Sequence, residues 1–498
     1  MSLAVLTPMA IEARAIRGGA PWARVHRFGI GPGKAASAAA LVSDHDGAVV
    51  IAGFAGALDA ALRPGDIVLA SELRGPERTI SCGDPAVLAG VLRRAGLRVH
   101  VGPVASSPRV VHGARRAELA QTGAIAVDME SAWLAHAHGR PIVTLRAISD
   151  GAGAEVHNPL RLAAGVRAAY RSLRRASALL EEWTEVLGER EVVLAAPRAS
   201  CAGVVRAVDI VRGVLAQRGA PVYVRKQIVH NVTVVSELEA EGAIFVDELD
   251  EVPAGATVIF SAHGVSPAVR AEARRRGLDA IDATCPLVAK VHAETRRFAR
   301  RDFDIVLVGH EGHEEVEGTV GEAPERITVI ASPEDVARLE VADPAKVAYL
   351  TQTTLAVDET KVVVEKLRER FPALAGPRSD DICYATQNRQ DAVRALASDC
   401  DIVLVVGSEN SSNSRRLVEV AQRGGCRAAL IERADDIRPE LLRGVRTVGL
   451  TAGASAPEEL VAGVVAAIDG LGRATVSERS VATEQVHFKL PPQVRRVA

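Results

Sequence analysis

Short apolar runs alternate with amphipathic stretches along the whole chain. LAVLTP, AVVIAGFAGA and PIVTLRAISD are apolar runs of strand length, whereas MAIEARAIRG and GKAASAAALV show helical spacing. Strands that alternate with helices favour a mostly parallel sheet with helices on both faces. We therefore predict an α/β protein whose functional side chains lie at the carboxyl ends of its strands.

The pattern changes near residue 188. The stretch GVRAAYRSLRRASALLEEWTEVLGER predicts a long amphipathic helix, and Gly188-Glu189-Arg190 provides a short joint before the next apolar run. A length of 498 residues suggests more than one domain. We predict one domain over residues 1–188 and a second over residues 189–498.

A unit of apolar strand, turn, cysteine and helix occurs three times in the second domain, at Cys201, Cys285 and Cys383. A cysteine at a helix start lies among unpaired N–H groups and the positive end of the helix dipole, which favour the metal-binding thiolate. The spacing predicts a trefoil of three α/β lobes, each bringing one ligand to a common centre. A buried cysteine is more often a small hydrophobic residue, so spacing alone leaves a structural role open.

Several strands of the second domain end abruptly in polar residues. These segments are VIFSAHG, IVLVGHEGHEE, AYLTQTT, IVLVVGSENSSNS and VGLTAGAS. Polar clusters at the ends of buried strands are typical of ligand sites. Lysine and arginine are scarce in these clusters.

Composition narrows the functional class. The formal net charge is −2, from 60 basic and 62 acidic residues, which gives no reason to expect a nucleic acid or an anionic membrane surface as partner. No apolar run reaches the length of a membrane span, so we expect no stable membrane insertion. Six cysteines without a CxxC pair do not suggest a secreted disulfide framework, and the N-terminal stretch does not suggest a signal peptide. We expect a cytoplasmic protein.

The motifs of the second domain resemble those of 4-hydroxy-3-methylbut-2-enyl diphosphate reductases. The blocks are VVLAAPRASCAGVVRAV, YVRKQIVHN, FSAHGVS, DATCPLVAKVH, GHEGHEEVEGTVG, LTQTTLAVDET, DDICYATQNRQDAV, VVGSENSSNS and TAGASAP, in this order. The resemblance implies a trefoil around a central 4Fe–4S cluster, with one iron held by each of Cys201, Cys285 and Cys383 and a fourth iron without a protein ligand. One departure is Ala199-Ser200, where the family usually has Gly-Phe.

The same resemblance implies roles for the polar strand ends. A small-molecule diphosphate substrate would be surrounded by His230, His263, His313, Ser411, Ser412, Asn413 and Ser455. Glu315 would be the proton source and Thr353 its relay, while an external donor of the ferredoxin or flavodoxin type supplies electrons. We expect Glu314 to be a solvated neighbour and Glu317 to be structural. A structural zinc ion held by the three cysteines and one histidine is the alternative.

The first domain resembles the purine nucleoside phosphorylase and nucleosidase superfamily. IEARAI, GIGPGKAASA, AGFAGALDAALRPGDIV, VDMESAWLA and LRAISD carry the resemblance, closest to the methylthioadenosine nucleosidase branch and its hopanoid-associated relatives. It implies a nucleoside-phosphorylase-like α/β sandwich. By motif, Glu130 would bind the ribose hydroxyls, Asp150 would protonate purine N7, and Glu12 would orient the attacking water.

The middle of the first domain departs from that pattern. ASSPRVVHGARRAEL stands where a substrate loop is expected, and the usual Ser-Gly-Asp turn is absent. Phosphate therefore remains an alternative to water as acceptor, although Glu12 favours water. We expect a purine nucleosidase acting on an adenosyl compound, with an adenosylhopane-type compound as one candidate. The alternative is a non-catalytic module that binds a nucleoside and regulates the second domain.

Overall fold

The computed structural model describes residues 2–43, 45–134, 140–152 and 159–494. Contacts between residues divide the chain into two compact units. Unit 1 comprises Met1–Val192, Arg433–Thr447 and Ala462–Val476, and unit 2 comprises Val193–Glu432, Val448–Val461 and Ser477–Ala498. The predicted α/β class is confirmed in both units. None of the helices in the described ranges combines the length and the apolar character needed to cross a membrane.

Unit 1 is built on one mixed sheet with the strand order β2-β1-β3-β7-β6-β4-β5. Its strands are β1 (Ser2–Thr7), β2 (Arg24–Arg27), β3 (Asp46–Ala57), β4 (Ile67–Arg74), β5 (Thr79–Ser81), β6 (Val99–Ser106), β7 (Ala126–Asp128) and β8 (Ile142–Asp150). Strand β8 pairs in parallel with β3 and antiparallel with β4. Because β3, β7, β6 and β4 are also paired in turn, these strands and β8 form a closed ring that the sequence pattern did not predict.

Helices connect the strands of unit 1. They are α1 (Ala10–Gly19), α2 (Pro32–Ala38), α3 (Ala86–Arg94), α4 (Gly113–Gln121), α5 (Ser131–Leu134), α6 (Pro159–Ala178) and α7 (Leu180–Thr184). The long helix predicted at the end of the first domain is thus divided at Leu179. Helix α6 packs against α1 and β8, and Trp183 of α7 is fully buried.

A buried ion pair fixes the end of β7 against β8. The guanidinium of Arg146 lies 2.7 Å from Asp128 Oδ2, and neither side chain is exposed. The other oxygen of Asp128 accepts from the backbone N–H of Glu130 and of Ser131. Removal of either partner of such a pair would leave an uncompensated buried charge and destabilise the fold. The pair therefore sets the backbone position of Glu130.

Unit 2 contains three sheets, in agreement with the three predicted α/β lobes. Lobe A has the order β11-β10-β12-β13, lobe B β15-β14-β16, and lobe C β18-β17-β19-β9-β20. The strands are β9 (Arg190–Ala196), β10 (Val222–Arg225), β11 (Ala243–Val246), β12 (Thr257–Phe260), β13 (Asp279–Asp282), β14 (Asp304–Val308), β15 (Ile327–Ile330), β16 (Val347–Thr351), β17 (Ile402–Val406), β18 (Arg427–Ile431), β19 (Thr447–Ala452) and β20 (Ala474–Ser480).

The helices from residue 200 onward follow the strand ends. They are α8 (Ala202–Arg218), α9 (Val232–Glu241), α10 (Pro267–Arg275), α11 (Pro286–Ala299), α12 (Glu314–Val320), α13 (Val357–Arg370), α14 (Tyr384–Ala397), α15 (Ser412–Arg423), α16 (Pro439–Leu442) and α17 (Glu458–Asp469). Short 3-10 helices lie at Ala39–Leu41, Leu249–Glu251, Pro333–Arg338 and Ala434–Asp436. Every lobe buries its own apolar cluster, so each presents its strand ends on a rigid base.

Candidate active sites

The three predicted cysteine ligands each begin a helix. Cys201 immediately precedes α8, Cys285 precedes α11 and Cys383 precedes α14. The sulfur of Cys383 also accepts a hydrogen bond from Thr386 N at 3.3 Å. Each thiol therefore lies among the free N–H groups of a first helical turn.

The backbone N–H of each cysteine is also hydrogen-bonded to a polar strand end. The backbone N–H of Cys201 donates to Ala454 O (3.1 Å), that of Cys285 to Ala262 O (2.9 Å), and that of Cys383 to Thr353 O (3.1 Å). These three acceptors each stand two residues after the last residue of a strand, namely β19, β12 and β16. The same backbone connection is thus made once in every lobe.

The three sulfur atoms face one cavity of about 110 Å³ in unit 2. All of the predicted diphosphate-site and proton-transfer residues line it as well: His230, His263, His313, Glu315, Thr353, Ser411, Ser412, Asn413 and Ser455. Gly203 lies between two of the thiols. A Cβ there would approach Cys285 Sγ to 2.8 Å and Cys201 Sγ to 3.7 Å, so the absence of a side chain keeps the space between the sulfurs open.

The separation of the thiols discriminates between a cluster and a single zinc ion. Among the described residues, the three sulfurs are not all within 4.8 Å of one another. A zinc ion with bonds of about 2.3 Å requires its sulfur ligands to lie within about 4.6 Å of one another. A larger iron–sulfur core held by one thiolate per lobe fits this donor set better. The geometry therefore disfavours the zinc alternative.

Burial of the thiols opposes their ionisation in the free protein. It raises the pKa of Cys285 to about 12 and that of Cys383 to about 11. The helix N-termini alone therefore do not lower the pKa of these thiols below its ordinary value. A bound metal ion reverses this balance because it deprotonates coordinating thiols. The site therefore suits a cofactor that brings its own positive charge.

Three imidazole rings form a compact group beside the thiols. The rings of His230 and His263 stack with centroids 4.1 Å apart, and the ring of His313 meets them edge-on at 5.5 and 5.9 Å. Burial lowers the pKa of His230 to about 3 and that of His313 to about 4, with the neighbouring imidazoles adding to the effect. An anion bound among these rings would favour their protonated forms.

Glu314 is more than the solvated neighbour that we expected. Its Oε2 lies 3.0 Å from Nδ1 of His263, and its side chain is only 21% exposed. Burial acts to raise the pKa of Glu314, but the hydrogen bond with His263 and the nearby imidazoles outweigh it and lower the pKa. Glu314 therefore orients the His263 ring, a role that a run of two glutamates does not reveal.

Hydroxyl and amide groups complete the other wall of the cavity. Ser411 caps the start of α15, and Ser455 donates to His230 O at 2.9 Å. Asn413 accepts from Ala454 N at 2.8 Å, which fixes its side chain. The Ser412 hydroxyl and the Asn413 amide nitrogen are buried without a hydrogen-bond partner among the described residues. Buried polar groups of this kind are normally satisfied, so these two atoms suit a polar ligand.

Glu315 and Thr353 form a buried pair at the same cavity. Thr353 donates to the two carboxyl oxygens of Glu315 through its N–H (2.6 Å) and its hydroxyl (2.9 Å). Burial raises the pKa of Glu315, although both hydrogen bonds from Thr353 act in the opposite direction. A raised pKa favours the protonated form of a carboxyl group, which is the form that can serve as an acid.

A second cavity, of about 290 Å³, lies in unit 1 and is lined by Glu12, Glu130 and Asp150. Glu12 is fully buried and accepts from the backbone N–H of Met9 and of Phe54, both at 2.7 Å. Burial raises its pKa despite these bonds. Three carboxyl groups predicted from separate motifs thus share one cavity.

Glu130 lies between a glycine-rich turn and the buried ion pair. Its Oε1 accepts from Gly31 N at 3.2 Å, and its Oε2 lies 3.9 Å from Arg146. Burial raises the pKa of Glu130, and Asp128 adds to this while Arg146 opposes it. The carboxyl group is positioned at a strand end, where the sequence pattern predicted a ligand site.

Asp150 has a partner that the sequence did not predict. Its Oδ2 accepts from Nη1 of Arg116 at 2.8 Å, and its Oδ1 accepts from the Ser149 hydroxyl at 2.7 Å. Arg116 belongs to α4, so part of the stretch expected to form a substrate loop is helical. This helix therefore brings a guanidinium into the cavity.

The family model described as LytB protein matches residues 192–469, more than half of the chain. The chain belongs to the LytB protein family. It is 62% identical over 312 residues to a 4-hydroxy-3-methylbut-2-enyl diphosphate reductase of Leifsonia xyli, covering 62% of this chain and 93% of that protein. It is 59% identical to the 4-hydroxy-3-methylbut-2-enyl diphosphate reductase 1 of Mycobacterium tuberculosis, and this match covers 62% of this chain and 95% of that protein.

A solved structure also matches the LytB domain. The E-1-hydroxy-2-methyl-but-2-enyl-4-diphosphate reductase of Plasmodium falciparum aligns with a TM-score of 0.59 and 38% identity, covering 62% of this chain and 97% of that one. In the N-terminal part, the phosphorylase superfamily model matches residues 23–185. Glu12 precedes this range, whereas Glu130 and Asp150 lie within it.

In the LytB domain, Arg389 braces two of the cysteine segments. It lies on the helix that begins after Cys383, and it donates to Ala199 O at 2.7 and 3.1 Å, two residues before Cys201. Glu484 accepts from the same guanidinium at 3.0 Å. Ala199 has a φ of 59°, a conformation that favours glycine, so the hydrogen bonds from Arg389 help to hold a strained turn.

Replacement of Arg389 by glutamine should weaken retention of the predicted iron–sulfur cluster. Each hydrogen bond to a charged group contributes about 1.5–3 kcal/mol, so iron should be lost to a chelator about tenfold faster or more. The measurement is anaerobic iron release followed by the visible absorption of the cluster. Arg394→Gln on the same helix, which loses only partly exposed ion pairs, is the control. Equal release from both variants would contradict the bracing role.

Proposed function

We propose that the LytB domain reduces (E)-4-hydroxy-3-methylbut-2-enyl diphosphate to isopentenyl and dimethylallyl diphosphate, the last step of the non-mevalonate isoprenoid pathway. The similarity to curated reductases supports this reaction. The observation that carries the proposal is the single cavity lined by three thiols, three imidazoles and the Glu315–Thr353 pair. Few other reactions require thiolate ligands, anion-binding groups and a buried acid together.

The three cysteines would hold a 4Fe–4S cluster through one sulfur each. When bound, this group supplies electrons received from an external ferredoxin or flavodoxin and an iron that is free to accept the substrate hydroxyl. Two electrons and two protons enter the reaction, the allylic C–O bond breaks, and the hydroxyl leaves as water. The protein's own residues hold the anion and deliver the proton.

The Glu315–Thr353 pair is suited to proton delivery. Burial raises the pKa of Glu315, which favours its protonated form, and the Thr353 hydroxyl at 2.9 Å would relay the proton to a bound hydroxyl. The imidazoles have a complementary task. The pKa values of His230 and His313 are lowered in the free protein, and the charge of a diphosphate would raise them again, so substrate binding should be accompanied by proton uptake.

We propose in addition that the N-terminal domain cleaves the N-glycosidic bond of an adenosyl compound, with an adenosylhopane-type compound as one candidate. Glu130 would bind the ribose hydroxyls and stabilise positive charge on the sugar, Glu12 would orient the water, and Asp150 would face the base. Support comes from the shared cavity and from the burial of Glu12 and Glu130. The alternative of a nucleoside-binding regulatory module is favoured by Asp150, whose oxygens already accept hydrogen bonds.

Glu315→Gln should lower reductase turnover about 10²–10⁴-fold, because glutamine cannot supply a proton. Its iron content should remain that of the wild type, since Glu315 is not a predicted metal ligand. The assay is anaerobic formation of the two C5 diphosphates with a chemical reductant. Glu317→Gln, an exposed position on the same helix, should be unaffected. Full turnover by Glu315→Gln would refute the assignment of the acid.

Glu130→Gln should lower release of adenine from 5′-methylthioadenosine about 10²-fold, because a carboxylate stabilises the positively charged sugar better than an amide. Chromatographic measurement of adenine tests this on the full chain. Glu118→Gln on the exposed face of α4 is the control. Unchanged adenine release by the Glu130 variant would contradict the assignment. Binding without turnover by the wild type would favour the regulatory alternative.

A further inference from the structure

Each helix that begins at a cysteine carries a basic residue about one and a half turns further along. The pairs are Cys201 and Arg206, Cys285 and Lys290, and Cys383 and Arg389. The interval is five residues in the first two helices and six in the third. Arg389 is 1% exposed, and the other two basic side chains are partly buried. Basic residues are mostly exposed, so this recurrence beside the thiols requires a structural reason.

The contact made by Arg206 leads from the first cysteine helix to the second cysteine. Its Nη1 donates to Ala283 O at 3.2 Å and to Thr284 O at 3.1 Å, the two carbonyl groups immediately before Cys285. Its Nε also donates to Lys489 O at 3.0 Å, so the guanidinium is held on two sides. Arg206 therefore fixes the approach to a thiol that belongs to a different helix.

Lys290 makes the corresponding contact from the second cysteine helix. Its Nζ donates to Ser379 O at 2.5 Å and to Asp380 O at 2.7 Å, shortly before Cys383. The ammonium group also lies 3.1 Å from Oδ1 of Asp381, whose side chain is fully buried. A lysine thus holds two consecutive carbonyl groups through one nitrogen, as Arg206 does.

Arg389 closes the series from the third cysteine helix. Besides its bonds to Ala199 O, its Nη2 donates to Arg198 O at 3.3 Å. Two consecutive carbonyl groups before a cysteine, here Cys201, again face one cation. The contacts therefore run from the first cysteine helix to the second cysteine, from the second helix to the third cysteine, and from the third helix back to the first cysteine.

These contacts span all three lobes. Helix α8 packs in the apolar core of lobe A, α11 in that of lobe B and α14 in that of lobe C. The backbone N–H of each cysteine ties its helix to a strand end of the preceding lobe, and the basic residue ties the same helix to the segment that leads to the next cysteine. Displacement of one helix would therefore break contacts with both neighbouring cysteine segments.

We propose that Arg206, Lys290 and Arg389 form a closed cycle of positioning residues, the brace cycle, which makes the three cysteine segments open as one unit. The inference rests on the proposed iron–sulfur cluster as the occupant of the site. A group held by three thiolates is lost once a corner of its site opens. Segments that opened independently would each offer a separate route of loss. The brace cycle leaves one concerted route, so each basic residue protects the whole site.

The rate at which iron leaves the full chain, assembled with its cluster without oxygen, tests the brace cycle. Arg206→Gln and Lys290→Gln should each release iron to a chelator about tenfold faster than the wild type, because each loses hydrogen bonds from a charged donor. The double variant should release it about a hundredfold faster, since contributions to one concerted opening multiply. Independent routes would add their rates instead. A double variant no more than about twice as fast as the single variants would overturn the proposal.

Matched variants separate donation to the carbonyl groups from general damage. Arg206→Lys should retain iron to within about threefold of the wild type, because an ammonium group makes both bonds at position 290. Arg212→Gln on α8 and Arg300→Gln on α11 change exposed arginines and should release iron at the wild-type rate. Thermal unfolding of each variant reports any loss of stability. Release from Arg206→Lys as fast as from Arg206→Gln would overturn the role of the charged donor.

Amide hydrogen exchange of the full chain, measured before cluster assembly, tests the coupling directly. Arg206→Gln should speed exchange in all three segments that precede the cysteines, at residues 198–201, 283–285 and 379–383, because concerted opening exposes them together. Faster exchange confined to residues 283–285 would show a local brace and overturn the cycle.

The failure of this inference can be told apart from failure of the proposed reductase function. A wild type that assembles no iron–sulfur cluster would refute the function, and the exchange measurement would then decide the brace cycle alone, by the same two outcomes. A wild type that assembles the cluster and forms the two C5 diphosphates, with additive release rates in the double variant, would keep the function and overturn the cycle.

Discussion

The LytB domain depends on one repeated backbone hydrogen bond, from the N–H of a cysteine to a carbonyl two residues beyond the end of a strand. Ala262 follows Phe260, Thr353 follows Thr351 and Ala454 follows Ala452 by the same interval. The bond joins a strand end of one lobe to the start of a helix that packs in the core of another lobe. It therefore fixes the thiol and the adjacent polar residue together, namely His263, Thr353 and Ser455. The same contact therefore positions a proposed metal ligand and a proposed substrate-binding or proton-transfer residue.

The two cavities of the protein differ in the charge of the groups that line them. In unit 2, burial lowers the pKa of His230 and raises the pKa values of Cys285 and Glu315, which favours the neutral forms of these three groups in the free protein. In the proposed reductase function, charge would enter with the cofactor and the diphosphate. In unit 1, charge is already present in Arg146–Asp128 and Arg116–Asp150. Such fixed pairs suit the recognition of a neutral ligand by hydrogen-bond polarity.

Local sequence patterns were sufficient to predict the α/β class, the helix starts at Cys201, Cys285 and Cys383, and the polar strand ends that meet them. Each of these features is encoded within about ten residues, where hydrophobic periodicity and helix-start signals act. The closed ring of β3, β7, β6, β4 and β8 was not predictable in this way because it depends on pairing between distant strands.

The residues that the sequence missed act through distant partners. Glu314 was judged solvated because an acidic pair gives no sign of which side chain faces His263, 51 positions earlier. Arg116 reaches Asp150 across 34 positions, and Arg389 reaches Ala199 across 190. A charged residue in an amphipathic helix is usually solvent-exposed, so only the tertiary structure distinguishes these arginines from their exposed neighbours.

The central claim is that three thiols, one from each lobe, hold an iron–sulfur cluster in the cavity that binds the diphosphate. The most direct test is determination of iron, acid-labile sulfide and zinc in the full chain purified without oxygen. The account predicts about four iron and about four sulfide per chain, a brown colour and no stoichiometric zinc. A colourless protein that contains one zinc and no sulfide would contradict it.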